Sequence, residues 1–261
     1  ARFLSDPTSD VSSIPVDGDW PMARRDPTHS AFVPGPSILP AGEVVWSFEV
    51  DGPFLASPSV SGGRLFVGTG DQRLVALDSA SGDVVWERDI ISPVDSSPAV
   101  AGDLVYFALK EGRLLALDRE TGETVREFNA GEAIDSSPAV IDGVVYFGSD
   151  NRRVYALDAI TGKVRWSIPR LTRTSLLYAD GHFFCLGEYG SLILFKANPK
   201  QFEPVGEYLF QDPDARPDPL GLGSPLLLKY PCWAAPILSH GLLYVRGSDR
   251  LGHQQLRRDD L

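Results

Sequence analysis

Two near-identical heptads, VDSSPAV at Val94–Val100 and IDSSPAV at Ile134–Val140, place an acid and two hydroxyls directly before a short apolar run. Asp95, Ser96 and Ser97, and then Asp135, Ser136 and Ser137, could hydrogen-bond a partner or cap the start of a strand. A second charged series is interleaved with them: Asp71 and Arg73, then Lys110, Glu111 and Arg113, then Asp150, Arg152 and Arg153. Glu188, Asp249 and Arg250 continue it, while Arg173 and Thr174 stand at the position of the DSS residues in the next unit. Mixed charges on successive turns suit the steering and orientation of a protein partner. The usual catalytic patterns are missing. His29, His182, His240 and His253 form no HExxH, and neither GxSxG nor GxxxxGK[ST] occurs. His182 and His240 fall in turns, where polar residues are expected on turn chemistry alone. The GTG at Gly68–Gly70 is followed by no helix and cradles no nucleotide. Cys185 and Cys232 make no CxxC or CxxCH pattern. They are expected as buried free thiols, with a single bridge as the alternative.

These residues need a frame, and internal repeats supply one. SPSVSGGRLFVGTGDQRLVALDSASGDVVW starts at Ser57, SPAVAGDLVYFALKEGRLLALDRETGETVR at Ser97, and SPAVIDGVVYFGSDNRRVYALDAITGKVRW at Ser137. A period of forty residues suits one four-stranded propeller blade. In the third copy the strands are expected at Pro138–Val140, Val144–Gly148, Arg153–Leu157 and Lys163–Ser167, with the proline-bearing strand beside a central channel. Asp78/Gly82, Asp118/Gly122 and Asp158/Gly162 bracket the last hairpin: the acid forms an Asx-type turn and the glycine supplies a left-handed residue. Trp86 and Trp166 then present flat surfaces on the outer strand, where the middle copy has Arg126. Ser175–Lys196 keeps the strand rhythm without the Asp-x-x-Thr-Gly turn, and Ala235–Leu251 restarts the unit. Glu43–Val50 (EVVWSFEV) reads as a lone fourth strand, with Trp46 forty residues before Trp86. After Leu251 the alternation stops, which puts a closing third strand in question and predicts a weakened seam between the chain ends.

Composition agrees with such an architecture. The chain has 261 residues, 43% of them hydrophobic, with 25 Gly and 21 Pro, so it can bury a core and must turn often. A net charge of −11 disfavours nucleic acid and anionic membrane as partners. No apolar run is long enough to span a bilayer as a helix. The sequence begins at Ala1, and no signal peptide is recognised in it.

The phrase ALDxxTGxxxW at Ala156–Trp166, with partial copies at Ala76–Trp86 and Ala116–Arg126, resembles the pyrroloquinoline-quinone (PQQ) repeat, or tryptophan-docking motif. The opening DWPMARRDPTHSA at Asp19–Ala31 looks like the segment that often precedes such repeats. The resemblance implies an all-β fold, a β-propeller of four-stranded blades, numbering about five or forming part of a larger ring. It implies that each Trp locks its blade to the next, and it favours an extracytoplasmic home. Residues 1–42 are read as an extended segment and 43–261 as the propeller. Its blades fall at about 57–96, 97–136, 137–170, 175–210 and 235–261, the last closed by 43–50, with a loop insertion at 211–234. The family includes quinoprotein dehydrogenases, which hold PQQ and Ca²⁺ in the channel. It also includes non-enzymatic members similar to the scaffold of the outer-membrane assembly machine. With no acidic calcium loop and no adjacent cysteines, the expected function is a non-catalytic, monomeric scaffold without cofactor that binds a protein or peptide. Its docking face is expected at Asp71, Arg73, Asp95, Ser96, Lys110, Arg113, Asp135, Ser136, Asp150, Arg152, Arg153, Arg173, Glu188 and Arg250. The alternatives are a PQQ/Ca²⁺ enzyme or cofactor module, and a sensor domain of a larger protein.

Overall fold

Short β-branched and aromatic runs punctuated by Gly, Asp and Asn favour strands over helix. The computed structural model describes residues 44–169, 174–210, 236–239, 242–246 and 251–255, and among them there is no helix. The first sheet contains β1 (Ser59–Ser61), β2 (Arg64–Gly68), β3 (Arg73–Asp78) and β4 (Val84–Asp89). The second contains β5 (Ala99–Ala101), β6 (Leu104–Ala108), β7 (Arg113–Asp118) and β8 (Thr124–Asn129). The third contains β9 (Ala139–Ile141), β10 (Val144–Ser149), β11 (Arg153–Asp158) and β12 (Val164–Pro169). The fourth contains β13 (Thr174–Ala179), β14 (His182–Gly187), β15 (Ser191–Lys196) and β16 (Glu203–Leu209). A three-stranded fifth sheet has β17 (Ile237–Ser239), β18 (Leu242–Arg246) and β19 (Leu251–Gln255). Every sheet is an antiparallel meander in chain order, the blade of a β-propeller.

The expected strands of the third copy lie within two residues of those observed. Pro138 falls just outside β9, because proline has no N–H to give a ladder. Adjacent sheets approach each other through their first strands, β1 with β5 and β5 with β9, which sets these short strands around the axis. Each pairing of a third with a fourth strand shifts register once, at Ala76/Leu77, Ala116/Leu117, Ala156/Leu157 and Leu194/Phe195. A bulge at one place in four blades bends each outer strand in the same way.

Two expectations about the chain ends need correction. The third strand of the fifth sheet exists: Leu251–Gln255 pairs with Leu242–Arg246 from Leu242↔Gln255 to Arg246↔Leu251. Ladder bonds belong to the backbone, so loss of apolar alternation did not prevent the strand. Residues 44–50, in contrast, enter no ladder among the described residues. Their side chains hold them instead, with Trp46 and Phe48 packed on Val67, Val75 and Leu77 of the first sheet. The 1–42 segment, the 211–234 insertion, Trp20, Trp233 and Cys232 lie outside the described residues.

The core runs between blades. Phe66, Leu74, Ala76 and Trp86 meet Val105, Phe107, Leu115 and Leu117. Tyr106, Leu114 and Ala116 meet Val145, Phe147, Tyr155 and Leu157. Tyr146, Ala156 and Trp166 meet Phe183, Cys185, Ile193 and Phe195. The fifth sheet joins through Leu243 and Val245 against Phe184, Leu186, Leu192 and Leu194.

Candidate docking face and the seams that hold it

In each of the first three blades one acid makes the turn between the third and fourth strands. Asp78 Oδ1 accepts from the amides of Ala80 and Ser81 at 3.0 Å each. Asp118 Oδ1 accepts from Glu120 and Thr121, and Asp158 Oδ1 from Ile160 and Thr161. These bonds to the ionised form hold the carboxyls of Asp78 and Asp118 below the usual carboxylate range. Asp158 is lowered chiefly by Arg165, whose Nη2 lies 2.7 Å from its Oδ2. In the fourth blade, which lacks the motif, Asn198 Oδ1 takes over, accepting from Lys200 at 2.8 Å and Gln201 at 3.4 Å.

The turn is also the seat of the preceding blade's tryptophan. A methyl group built on Gly82 would lie 2.6 Å from the Trp46 ring, and one on Gly122 2.7 Å from the Trp86 ring. Both glycines are left-handed, at φ +78° and +71°. Trp46 Nε1 donates to Ser79 O (3.2 Å) and Trp86 Nε1 to Arg119 O (2.9 Å). Trp166 Nε1 reaches Asn198 O at 2.8 Å. The interblade lock implied by the resemblance is therefore an indole that covers a glycine and pins a carbonyl.

The Trp-less seam is repaired by an inversion. Blade one reads Trp86-Glu87-Arg88, blade two Arg126-Glu127-Phe128. The aromatic ring moves two residues along the outer strand, to Phe128, edge-on to Tyr155 and Phe147 at 5.2 and 6.0 Å. Arg126 lays its aliphatic stem over Gly162 at 3.7–4.0 Å from a Cβ position there. Its guanidinium donates to its neighbour's carbonyl, Val125 O. The carbonyl that an indole would have pinned, Ala159 O, receives the Tyr106 hydroxyl at 2.9 Å. Burial first, and the Asp158 charge second, push the Tyr106 phenol up to about 12, so it remains a donor.

The expected docking face lies at the other end of each blade. Asp95, before β5, pairs with Lys110 in the β6–β7 turn, so the entry segment and this turn share one face. Asp71 is gripped by Thr69 Oγ1, the Asp51 amide and Arg73, with Arg73 Nη2 at 2.6 Å. The Arg73 bond first among these lowers the Asp71 carboxyl to about 2. Arg73 also reaches Glu87 at 2.9 Å, and Arg113 spans Glu111 and Glu127. Arg153 is tied to Ser167 by bonds of 2.8–3.3 Å. These arginines fasten turns to outer strands.

Asp135 and Asp150 stand one blade on from Asp95 and Lys110, both half-buried. Arg152 is exposed, at a strained φ of +67°. Glu188 is 7% exposed. Ser96 and Ser136 do not belong to the exposed face: they are buried and donate to Ala108 O and Gly148 O of their own blades. Arg173 and Arg250 lie outside the described residues.

Three features of this face escaped sequence reasoning. Ser97 Oγ accepts from the Ser57 amide, and Ser137 Oγ from the Ser97 amide, each at 3.0 Å, stitching three blades around the axis. The arginine partners Glu87 and Glu127 sit fourteen residues after Arg73 and Arg113. Phe54 and Leu55, at the positions of Val94 and Asp95, are 47% and 55% exposed. The forty-residue register could have found all three.

A protein-family model described as outer membrane protein assembly factor BamB matches residues 39–127 and 110–198. A search of curated proteins returns no match. Among solved structures, BamB from Moraxella catarrhalis has a TM-score of 0.56 at 15% identity, covering 81% of this chain and 87% of that one. Quinohemoprotein alcohol dehydrogenase from Comamonas testosteroni has a TM-score of 0.68 at 16% identity. That alignment covers 91% of this chain and 49% of the dehydrogenase, so the chain spans about half that enzyme's length. The computationally designed Ika4 protein has a TM-score of 0.55 at 17% identity, with 60% of this chain and 99% of that one covered. At these identities the likeness is one of fold.

Proposed function

The chain belongs to the BamB-like family of PQQ-repeat β-propellers, its matched stretches running from 39 to 198, and from that premise we propose a non-catalytic protein-interaction scaffold. The observation that carries the reading is the apolar pair Phe54–Leu55, exposed on a loop face otherwise rich in charge. Exposed aromatic residues are enriched in interfaces, and the surrounding charges set approach and register. The rigid blades hold those loops still, and loops on rigid scaffolds are where recognition concentrates. The family's description as an outer membrane protein assembly factor supports an extracytoplasmic setting and a protein partner. No helix among the described residues is long and apolar enough to cross a membrane. The test uses the wild-type chain and an Asp135→Ala, Arg152→Ala double variant as parallel baits in an envelope fraction of the producing cell. The variant should melt as wild type does and lose the wild-type chain's captured partner. Equal capture would refute the docking face.

The likeness to the Comamonas dehydrogenase favours a second reading, a module that holds PQQ and Ca²⁺ in the channel. Two observations weigh against that reading. No three His, Cys, Asp or Glu among them converge on a metal position. Cys185 sits in the core between blades three and four, and burial pushes its thiol up to about 12. A PQQ titration with and without Ca²⁺ decides between the readings. A ligand of the folded state raises the melting temperature, and a Ca²⁺-dependent rise would favour the cofactor reading.

A further inference from the structure

The tryptophan seat between blades two and three has lost its tryptophan but kept its shape. Gly162 is left-handed at φ +70°, like Gly82 and Gly122 under their indoles. Above it, Leu114, Ala116, Tyr106 and Leu157 line a pit of about 20 Å³, room for one water, because the Arg126 stem occupies most of the seat. That stem is an exposed cover whose guanidinium donates to the adjacent Val125 carbonyl. The pit meets a second recess of about 620 Å³ at Tyr106 and Ala159, on the face opposite the proposed docking loops. Its rim carries exposed Ile160 and the carboxylates of Asp103 and Asp142.

We propose that this seam is a separate binding site for a tryptophan borne on a basic peptide segment of a partner. The indole enters the seat as Arg126 swings out, and the flanking cations lie against Asp103 and Asp142. The occupant is argued from the chain itself, since Trp46 and Trp86 fill the sister seats by covering the same glycine. Ala159 O is already held by Tyr106, so binding rests on ring burial and charge rather than on the indole N–H.

The probe is Ac-Lys-(5-fluorotryptophan)-Lys-amide, followed by ¹⁹F NMR against the whole chain. Saturable binding is expected. A glutamate-flanked peptide should bind at least about tenfold more weakly, as a like-charged rim requires. Arg126→Trp fills the seat from within and should abolish binding while raising the melting temperature. Arg126→Ala removes the cover from an exposed position and should tighten binding. Undetectable binding to wild type, equal binding of the two peptides, undiminished binding to Arg126→Trp, or unchanged binding to Arg126→Ala would each overturn the proposal. None of these outcomes touches the loop face, so the two proposals stand or fall separately.

Discussion

At the scale of single residues, the molecule is governed by what sits over the turn glycine. Trp86 is 8% exposed, and its replacement by Ala should cost about 3–5 kcal/mol through the lost contacts and the cavity left behind. Gly122→Ala should also destabilise, since its new methyl would meet both the Trp86 ring and a positive φ. Tyr106→Phe leaves the buried Ala159 carbonyl unpaired and should cost about 1–2 kcal/mol. Arg126→Trp should instead gain about 1 kcal/mol, in the range usual for cavity filling. Denaturant melts of the four variants check these signs together. If Arg126→Trp proved as damaging as Trp86→Ala, the inverted seam would not be an imperfect copy of its neighbours. Much of this was legible from sequence: the Asp–Gly turn and the outer Trp are local patterns, readable one blade at a time. The inversion was not, because Phe128 gains its meaning only from Phe147 and Tyr155, which arrive from the next blade.

At the scale of the element, the turns and hairpins lean on ionised carboxylates. Asp71, Asp78, Asp118 and Asp158 are all lowered in the folded chain. A depressed folded value stabilises the fold above the unfolded value and is lost as pH falls through the folded one. For Asp71 that window runs from 3.8 down to about 2. The melting temperature should therefore be insensitive to these groups above about pH 5 and fall progressively below pH 4. Each contribution is small, because these carboxylates keep part of their surface in water, which screens them. Asp158→Asn should lower the melting temperature on the neutral plateau and flatten its fall below pH 4, and an acid limb as steep as wild type would contradict the assignment. The fourth blade's turn was hidden because Asn198, forty residues after Asp158, replaces the acid and stands two residues beyond the end of β15, whereas Asp158 closes β11. The DSS serines misled in the opposite direction. Hydroxyls beside an acid look like recognition chemistry, yet Ser96 and Ser136 close the ends of β6 and β10, and Ser97 and Ser137 join blades.

At the scale of the whole molecule, the blades make one stack with two working ends. One end bears the loops of Phe54, Leu55, Lys110, Asp135 and Arg152, and the other bears the Asp–Gly turns. Amide hydrogen exchange should show the Ser97 amide, bonded to Ser137 Oγ, among the slow exchangers, and fast exchange there would mean that the blades breathe apart at the axis. Fold was legible from the forty-residue period, because a repeated blade announces itself many times. The docking face was legible only as a set of turns. Which charges fasten the scaffold and which stay open to the proposed partner depends on Glu87, Glu127 and Ser167 lying opposite the arginines. The most direct measurement places one photo-crosslinking residue at Arg152 in one preparation and at exposed Thr161, on the opposite end, in another, and irradiates each in the producing cell. A discrete protein adduct from position 152 that position 161 does not give is the expected result. The same adducts from both positions, or none from 152, would contradict a loop-face scaffold.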